Sequence, residues 1–199
     1  MHLYINTTSP FVRPVRIALA EKGLEDRVKT EIVDPWGDPE EFLAANPAGR
    51  VPTLVTDDGT AIAEASLILR YLDLIAPEPV LVPADDAEKT LATAALAIGA
   101  TEAATAVIIG RKSSDGFDQD TVGTKRFRTM ANAFKRLDAA PPHDFENRAD
   151  LANITTITAL DYILFRFSDH DWLAELPTLK AWHERQQDRP SLRTTYPYV

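Results

Sequence analysis

The stretch NPAGRVPTL at residues 46–54 leads out of a turn and into a strand, and it decides the fold of the first third of the chain. Residues 51–55 and 60–62 are short and largely apolar, which is typical of strands. Residues 57–59 are Asp-Asp-Gly, a sequence that favours a hairpin turn. Residues 64–75 then place their apolar side chains on one helical face. Together these patterns predict a hairpin followed by an amphipathic helix.

The residues upstream predict the rest of a small α/β domain. Residues 3–5 form a short apolar strand, residues 12–20 an amphipathic helix, and residues 27–33 a second strand. A short helix is predicted over residues 39–45. The predicted order is strand-helix-strand followed by helix-strand-strand-helix, and we assign residues 1–76 to this domain.

The remainder of the chain predicts helices only. Residues 77–85 contain three prolines in nine positions, which indicates a linker. Helical patterns follow over residues 86–109, 118–138, 149–167 and 178–188. We therefore expect an all-helical domain over residues 86–199.

The composition excludes several kinds of chemistry. The 199 residues include no cysteine, which excludes disulfides, cysteine-ligated metal sites and a cysteine nucleophile. The net charge of −9 repels nucleic acids and anionic membranes, so we expect neither as a partner. The four histidines lack the spacing of metal ligands, and we expect no metal site. No apolar run approaches the ~20 residues of a membrane-spanning helix and no signal-peptide pattern opens the chain, so we expect a cytoplasmic protein.

Four segments in a fixed order resemble the cytosolic glutathione S-transferases. They are SPFVRPVR at 9–16, NPAGRVPTL at 46–54, IAEASLILRYL at 62–72 and TALD at 158–161. The first segment is similar to the serine-type members of that family, tau-like, zeta-like or bacterial. The resemblance implies a thioredoxin-like domain followed by an all-α domain, and a homodimeric detoxification enzyme that uses glutathione as co-substrate.

The resemblance also implies a glutathione site. The bond before Pro52 is cis in the family, which turns the main chain of Val51 toward the cysteinyl unit of glutathione. Glu64 would hold the γ-glutamyl ammonium group, and the N–H groups at the start of the following helix would hold the carboxylate. The family usually has Glu-Ser where this chain has Glu64 and Ala65, so we expect weaker binding. The implied binding residues are Phe11, Arg50, Val51, Pro52, Glu64, Ala65 and Ser66.

Ser9 is the predicted catalytic residue. A free thiol with a pKa of about 8.5 is only roughly 3% thiolate at pH 7, so a donor to the sulfur is needed. The position of Ser9 before Pro10 also suits a helix N-cap, and the two roles are compatible. Thr7, Thr8 and Tyr4 remain alternative donors.

The helical half is expected to hold a small hydrophobic electrophile. Candidate lining residues on its first helix are Ile98, Thr101, Glu102, Thr105 and Ile109. Thr158 and Asp161 have the spacing of a capping box, which we interpret as structural. Alternatives to conjugation are a glutathione-dependent isomerase or peroxidase, or a non-catalytic binding protein.

Overall fold

Strands β1 (His2–Ile5), β2 (Lys29–Ile32), β3 (Thr53–Val55) and β4 (Ala61–Ala63) form a mixed sheet in the order β2-β1-β3-β4. The structure is a computed structural model that describes residues 1–198. β1 is parallel to β2 and antiparallel to β3, and β3 is antiparallel to β4. This topology confirms the predicted thioredoxin-like part of the fold.

Eight helices accompany the sheet in the described part of the chain. They are α1 (Val12–Glu21), α2 (Glu40–Ala45), α3 (Ala65–Ile75), α4 (Ala87–Ser113), α5 (Thr121–Ala139), α6 (Leu151–Arg166), α7 (Pro177–Gln186) and α8 (Pro190–Thr194). Short 3-10 turns occupy Glu25–Arg27 and Phe117–Gln119. The chain divides into two units, which we call the sheet unit (Met1–Leu81 with residues 190–198) and the helical unit (Val82–Arg189).

The core of the sheet unit lies under the sheet, where α1 and α3 pack against each other. Leu3 and Leu54, paired across β1 and β3, are fully buried. Ile17 of α1 and Ile68 and Leu72 of α3 are also fully buried. Burial of each such side chain stabilises the fold by about 1.5–3 kcal/mol. The apolar residues that recur about every 3.6 positions in α1 and α3 therefore form the buried face of each helix.

The start of α1 differs from the expected N-cap. Phe11 occupies the N-cap position, two residues later than Ser9, and its side chain makes no capping hydrogen bond. The Ser9 hydroxyl oxygen still accepts a hydrogen bond from the Val12 N–H at 3.4 Å. Ser9 therefore satisfies one orphan donor of the first turn from outside the helix.

The segment that follows Pro190 returns to the sheet unit, which the sequence pattern did not predict. The guanidinium group of Arg13 donates to the Leu192 carbonyl at 3.4 Å, and that of Arg16 donates to the Thr194 carbonyl at 3.0 Å. Arg13 is 4% exposed, so its charge is buried beneath this segment. Arg13 and Arg16 therefore hold the C-terminal segment against the sheet unit.

A buried lysine closes the end of α3. The Lys22 side chain is fully buried, and its ammonium group pairs with the Asp73 carboxylate at 2.8 Å. The same group donates to the carbonyl oxygens of Ala76 at 2.8 Å and Pro79 at 2.6 Å. Because all three donors of the ammonium group are used, Lys22 joins α1 to the end of α3 and to the proline-rich segment.

The helical unit is built around α6, whose residues 152–163 are all buried. Its N-terminus has a capping box in which Asp150 accepts from the Ala152 and Asn153 N–H groups. The capping box predicted at Thr158 and Asp161 is wrong, because both residues lie inside α6. Thr158 donates to the carbonyl of the preceding turn and Asp161 pairs with His183 of α7 at 2.5 Å.

Helix α4 is long and apolar enough to cross a membrane by length and composition alone, whereas no membrane-spanning helix was expected from the sequence. A core helix of a water-soluble protein passes the same test. The buried residues of α4 are mostly alanines and threonines, and the helix packs against α5 and α6. This composition allows close approach of the three helices.

Replacement of Lys22 by methionine is expected to destabilise the chain by about 3 kcal/mol, because the Asp73 carboxylate, only 12% exposed, loses its cationic partner. Urea unfolding measures the loss, with Lys89→Met at an exposed lysine as the control. The double variant Lys22→Met/Asp73→Leu should recover part of that loss, since no unpaired charge remains. A Lys22→Met variant as stable as the Lys89→Met control would show that the contacts of Lys22 do not stabilise the chain.

Candidate functional site

One end of the sheet gathers the predicted site residues. In the strand register Tyr4 lies opposite Thr53, and Thr53 lies opposite Ala63. The loop that carries Ser9 follows β1, Val51 and Pro52 precede β3, and Glu64 follows β4. Because neighbouring strands are antiparallel, these three segments emerge at the same end of the sheet.

The loop between β1 and α1 presents three hydroxyl groups, and their hydrogen bonds differ. The Thr7 hydroxyl donates to the Tyr198 carbonyl at 2.8 Å, and the Thr8 hydroxyl donates to Asn6 Oδ1 at 2.8 Å. The Ser9 hydroxyl accepts from Val12 N–H, and its own hydrogen has no acceptor among residues 1–198. Ser9 is half-buried, so its hydroxyl is the one of the three that is free to donate to a ligand.

Tyr4 lies inside the sheet unit. It is 7% exposed, and its ring lies 5.3 Å from that of Phe42 and 4.4 Å from that of His2. Burial, with the charges of Glu31 and Glu41, raises the pKa of its phenol above the usual value. These contacts describe a packing residue of the core.

The bond between Val51 and Pro52 is cis, as the resemblance implied. The Val51 N–H and carbonyl groups have no hydrogen-bond partner within residues 1–198. Pro52 is buried and Val51 is half-buried. Val51 therefore presents an unpaired donor and acceptor in the arrangement that an added strand requires.

Asn46 holds this loop in place, a role that the sequence analysis did not assign. Its side-chain amide donates to the Arg50 carbonyl at 2.9 Å and to Thr53 Oγ1 at 2.9 Å. Its Oδ1 accepts from the Ala48 N–H at 3.1 Å. Asn46 is 6% exposed, and its place before Pro47 was visible only as turn chemistry.

Glu64 has an unusual backbone conformation at the start of α3. Its φ of 72° lies in the left-handed region, which is uncommon for a residue other than glycine and frequent at functional sites. The Glu64 carbonyl accepts from the N–H groups of Leu67 and Ile68. The N–H groups of Ala65 and Ser66 have no partner among the described residues, so the positive end of the α3 dipole is open to an anion.

Two of the predicted binding side chains contact each other. Arg50 Nη1 lies 2.9 Å from Glu64 Oε1, with the side chains 65% and 53% exposed. An exposed ion pair contributes only about 0–1 kcal/mol, so an ammonium or carboxylate group of a ligand can compete with it. Phe11 is half-buried at the N-cap of α1.

The candidate second-substrate residues occupy different environments on α4. Thr101 is buried and donates to the Ala97 carbonyl at 3.0 Å, while half-buried Thr105 donates to the Thr101 carbonyl at 2.9 Å. Ile98 is half-buried, whereas Glu102 and Ile109 are exposed. Thr105 is therefore a polar group at the edge of the helical core.

Comparison with known proteins gives the same assignment along the chain. The family model for the glutathione S-transferase N-terminal domain matches residues 8–75. Glutathione S-transferase 2 of Saccharomyces cerevisiae is 30% identical over 207 residues, covering 97% of this chain and 88% of its own. The uncharacterized GST-like protein YibF of Escherichia coli is 29% identical over 204 residues, covering 99% and 98%.

Solved structures agree with these relatives. A glutathione transferase family member from Pseudomonas fluorescens with bound glutathione has a TM-score of 0.88 at 29% identity, covering 100% of this chain and 99% of its own. The same protein with bound S-(propanoic acid)-glutathione has a TM-score of 0.85 at 28% identity, covering 100% of both chains. On this evidence of sequence, fold and site, the chain belongs to the glutathione S-transferase family.

Proposed function

We propose that this protein is a serine-type glutathione transferase that binds glutathione on the sheet unit and activates its thiol with the Ser9 hydroxyl. The observation that carries the proposal is the hydrogen-bond pattern of the loop before α1. Thr7 and Thr8 use their hydroxyl hydrogens within the chain, whereas Ser9 keeps its own available. Buried Tyr4, the competing donor, has a raised pKa and is engaged in packing.

Four features at the same end of the sheet support glutathione as the ligand. The unpaired main chain of Val51 suits the cysteinyl unit, and the open N–H groups of Ala65 and Ser66 suit the γ-glutamyl carboxylate. The Glu64 carboxylate suits the γ-glutamyl ammonium group, and Arg50 suits the glycyl carboxylate. The Pseudomonas fluorescens relative binds glutathione itself, in agreement with this assignment.

The chemistry requires stabilisation of a thiolate. If binding lowers the thiol pKa by about two units, about three quarters of the bound glutathione is in the thiolate form at pH 7. Such a shift requires the site to stabilise the thiolate by roughly 2.7 kcal/mol. A hydrogen bond to a charged group contributes about 1.5–3 kcal/mol. One Ser9 O–H, assisted by the positive N-terminus of α1, is therefore of the right magnitude.

The second substrate is a small hydrophobic electrophile held by the helical unit. The thiolate sulfur attacks its electrophilic carbon, a carbon–sulfur bond forms, and the leaving group departs with the electron pair. The Pseudomonas fluorescens relative also binds S-(propanoic acid)-glutathione, in which the glutathione sulfur is bonded to a carbon of a second molecule, as in the product of this reaction.

A cytoplasmic homodimer with a role in detoxification completes the proposal. Leu67 and Leu74 of α3 are seven residues apart on one helical face and are 59% and 67% exposed. Large apolar side chains exposed on one face favour association with a second copy.

Replacement of Ser9 by alanine is expected to lower kcat for conjugation about 10- to 100-fold, because the thiolate loses a charge-assisted hydrogen bond. The pKa of the bound thiol should rise by about one to two pH units by the same reasoning. Conjugation of a chloronitrobenzene and the ultraviolet absorbance of the thiolate measure the two effects.

The matched control for Ser9 is Thr8→Val, which removes a hydroxyl already bonded to Asn6. It should leave the pKa of the bound thiol unchanged. Retention of kcat and of the thiol pKa by Ser9→Ala would refute the serine mechanism. Glutathione binding by the wild-type protein without conjugation would instead favour a binding protein.

Replacement of Glu64 by glutamine should raise KM for glutathione about 10-fold, because a neutral amide attracts the ammonium group less than a carboxylate does. Glu88→Gln, at another exposed glutamate near the start of a helix, is the control and should not change KM. Equal KM values for the two variants would remove Glu64 from the site.

Restoration of the family's usual serine by Ala65→Ser should lower KM for glutathione by about 2- to 12-fold, equivalent to one hydrogen bond of about 0.5–1.5 kcal/mol. Ser66→Ala tests whether the neighbouring hydroxyl already serves this purpose. If Ser66→Ala raises KM and Ala65→Ser leaves it unchanged, Ser66 has taken over the role.

A further inference from the structure

The C-terminal turn of α6 carries a cation without an acidic partner among the described residues, unlike three arginines elsewhere in the helical unit. Arg111 pairs with Asp118 at 2.6 Å, Arg148 with Asp150 at 3.1 Å, and Arg185 with Asp144 at 3.0 Å. Arg166 is half-buried, and no carboxylate lies within 4.0 Å of it among residues 1–198. A half-buried arginine without an acidic partner is able to pair with a ligand of opposite charge.

Aromatic rings hold the Arg166 guanidinium group in place. Its central carbon lies 4.7 Å from the centroid of the Phe165 ring and 5.9 Å from that of Tyr162. Its Nε–H is shielded from solvent and makes no hydrogen bond within the described residues. The group is therefore oriented and partly desolvated, and it retains unused hydrogen-bonding capacity.

The Tyr162 hydroxyl group adjoins this cation, because Tyr162 lies four residues before Arg166 on the same face of α6. Burial raises the pKa of Tyr162, while hydrogen bonding to Thr105 and the charge of Arg166 act in the opposite direction. The Thr105 hydroxyl hydrogen already bonds to the Thr101 carbonyl, so the donor available to a ligand here is the guanidinium group.

We propose that Arg166, flanked by the rings of Tyr162 and Phe165, forms a subsite that binds the carboxylate of the electrophilic substrate. This inference rests on the proposed transferase function and narrows its substrate class to electrophiles that carry a carboxylate beside an aromatic or other apolar body. The guanidinium fork matches the geometry of a carboxylate, and the Phe165 ring provides an apolar wall beside it. None of the predicted glutathione-binding residues takes part.

A matched pair of substrates tests the subsite. 4-Chloro-3-nitrobenzoate and 4-chloro-3-nitrobenzamide differ in charge at one group, and in both the glutathione thiolate displaces chloride. After correction for their uncatalysed rates, the wild-type protein should prefer the benzoate in kcat/KM by about 10-fold or more. Arg166→Met should abolish this preference of the benzoate over the benzamide.

Two further variants separate recognition of the carboxylate from effects of folding or of charge. Arg166→Lys retains the charge without the fork and should restore only part of the preference. Arg128→Met, at an exposed arginine of α5, is the control and should retain all of it. An unchanged substrate preference in Arg166→Met, or wild-type protein with no preference for the benzoate, would overturn the subsite.

Equilibrium titration with 4-chloro-3-nitrobenzoate distinguishes failure of the subsite from failure of the proposed function. Arg166→Met should weaken this binding about 10-fold or more relative to Arg128→Met. If the wild-type protein conjugates neither compound but binds the benzoate through Arg166, the transferase function is refuted and the carboxylate subsite is supported. If it conjugates both compounds and binding is independent of Arg166, the function stands and the subsite is refuted.

Discussion

The antiparallel pairing of β3 with β1 and β4 is the constraint on which the proposed glutathione site depends. Because Tyr4, Thr53 and Ala63 lie side by side in the register, the segments beyond them emerge at one end of the sheet. A shift by one residue would turn Leu54 out of the core, which is a strong penalty against any other register. The position of Ser9 relative to Val51 and Glu64 is therefore a consequence of hydrophobic packing several residues away.

Local polar chemistry then decides which groups at that end remain available. Asn46 uses its side chain to satisfy the loop before β3, so the Val51 main chain is left unpaired at a defined position. The positive φ of Glu64 leaves the first N–H groups of α3 without partners. The main-chain groups of Val51 and of the start of α3 are thus left unpaired while the backbone around them is hydrogen-bonded. Unpaired groups held in a fixed position in this way are typical of a preformed binding site.

Much of the fold followed from the sequence because its signals are local. The period of the apolar residues located the helices, and the turn residues between the strands located the hairpin. The family was identified, and the cis bond before Pro52 was predicted, from the resemblance carried by residues 9–16, 46–54 and 62–72. The errors were also local, since the N-cap shifted from Ser9 to Phe11 and the capping box from Thr158 to Asp150.

The sequence by itself determined the fold class and the family and predicted the kinds of groups at the proposed glutathione site, because residue type and spacing along the chain are sufficient for these. Only the tertiary structure decided which hydroxyl of Thr7, Thr8 and Ser9 is free, since Thr7 bonds to Tyr198 at the far end of the chain. The tertiary structure likewise showed that Arg13 donates a hydrogen bond to the Leu192 carbonyl of the C-terminal segment. It also showed that Arg166 has no acidic partner among residues 1–198. These outcomes depend on contacts between residues distant in sequence, which local patterns do not encode.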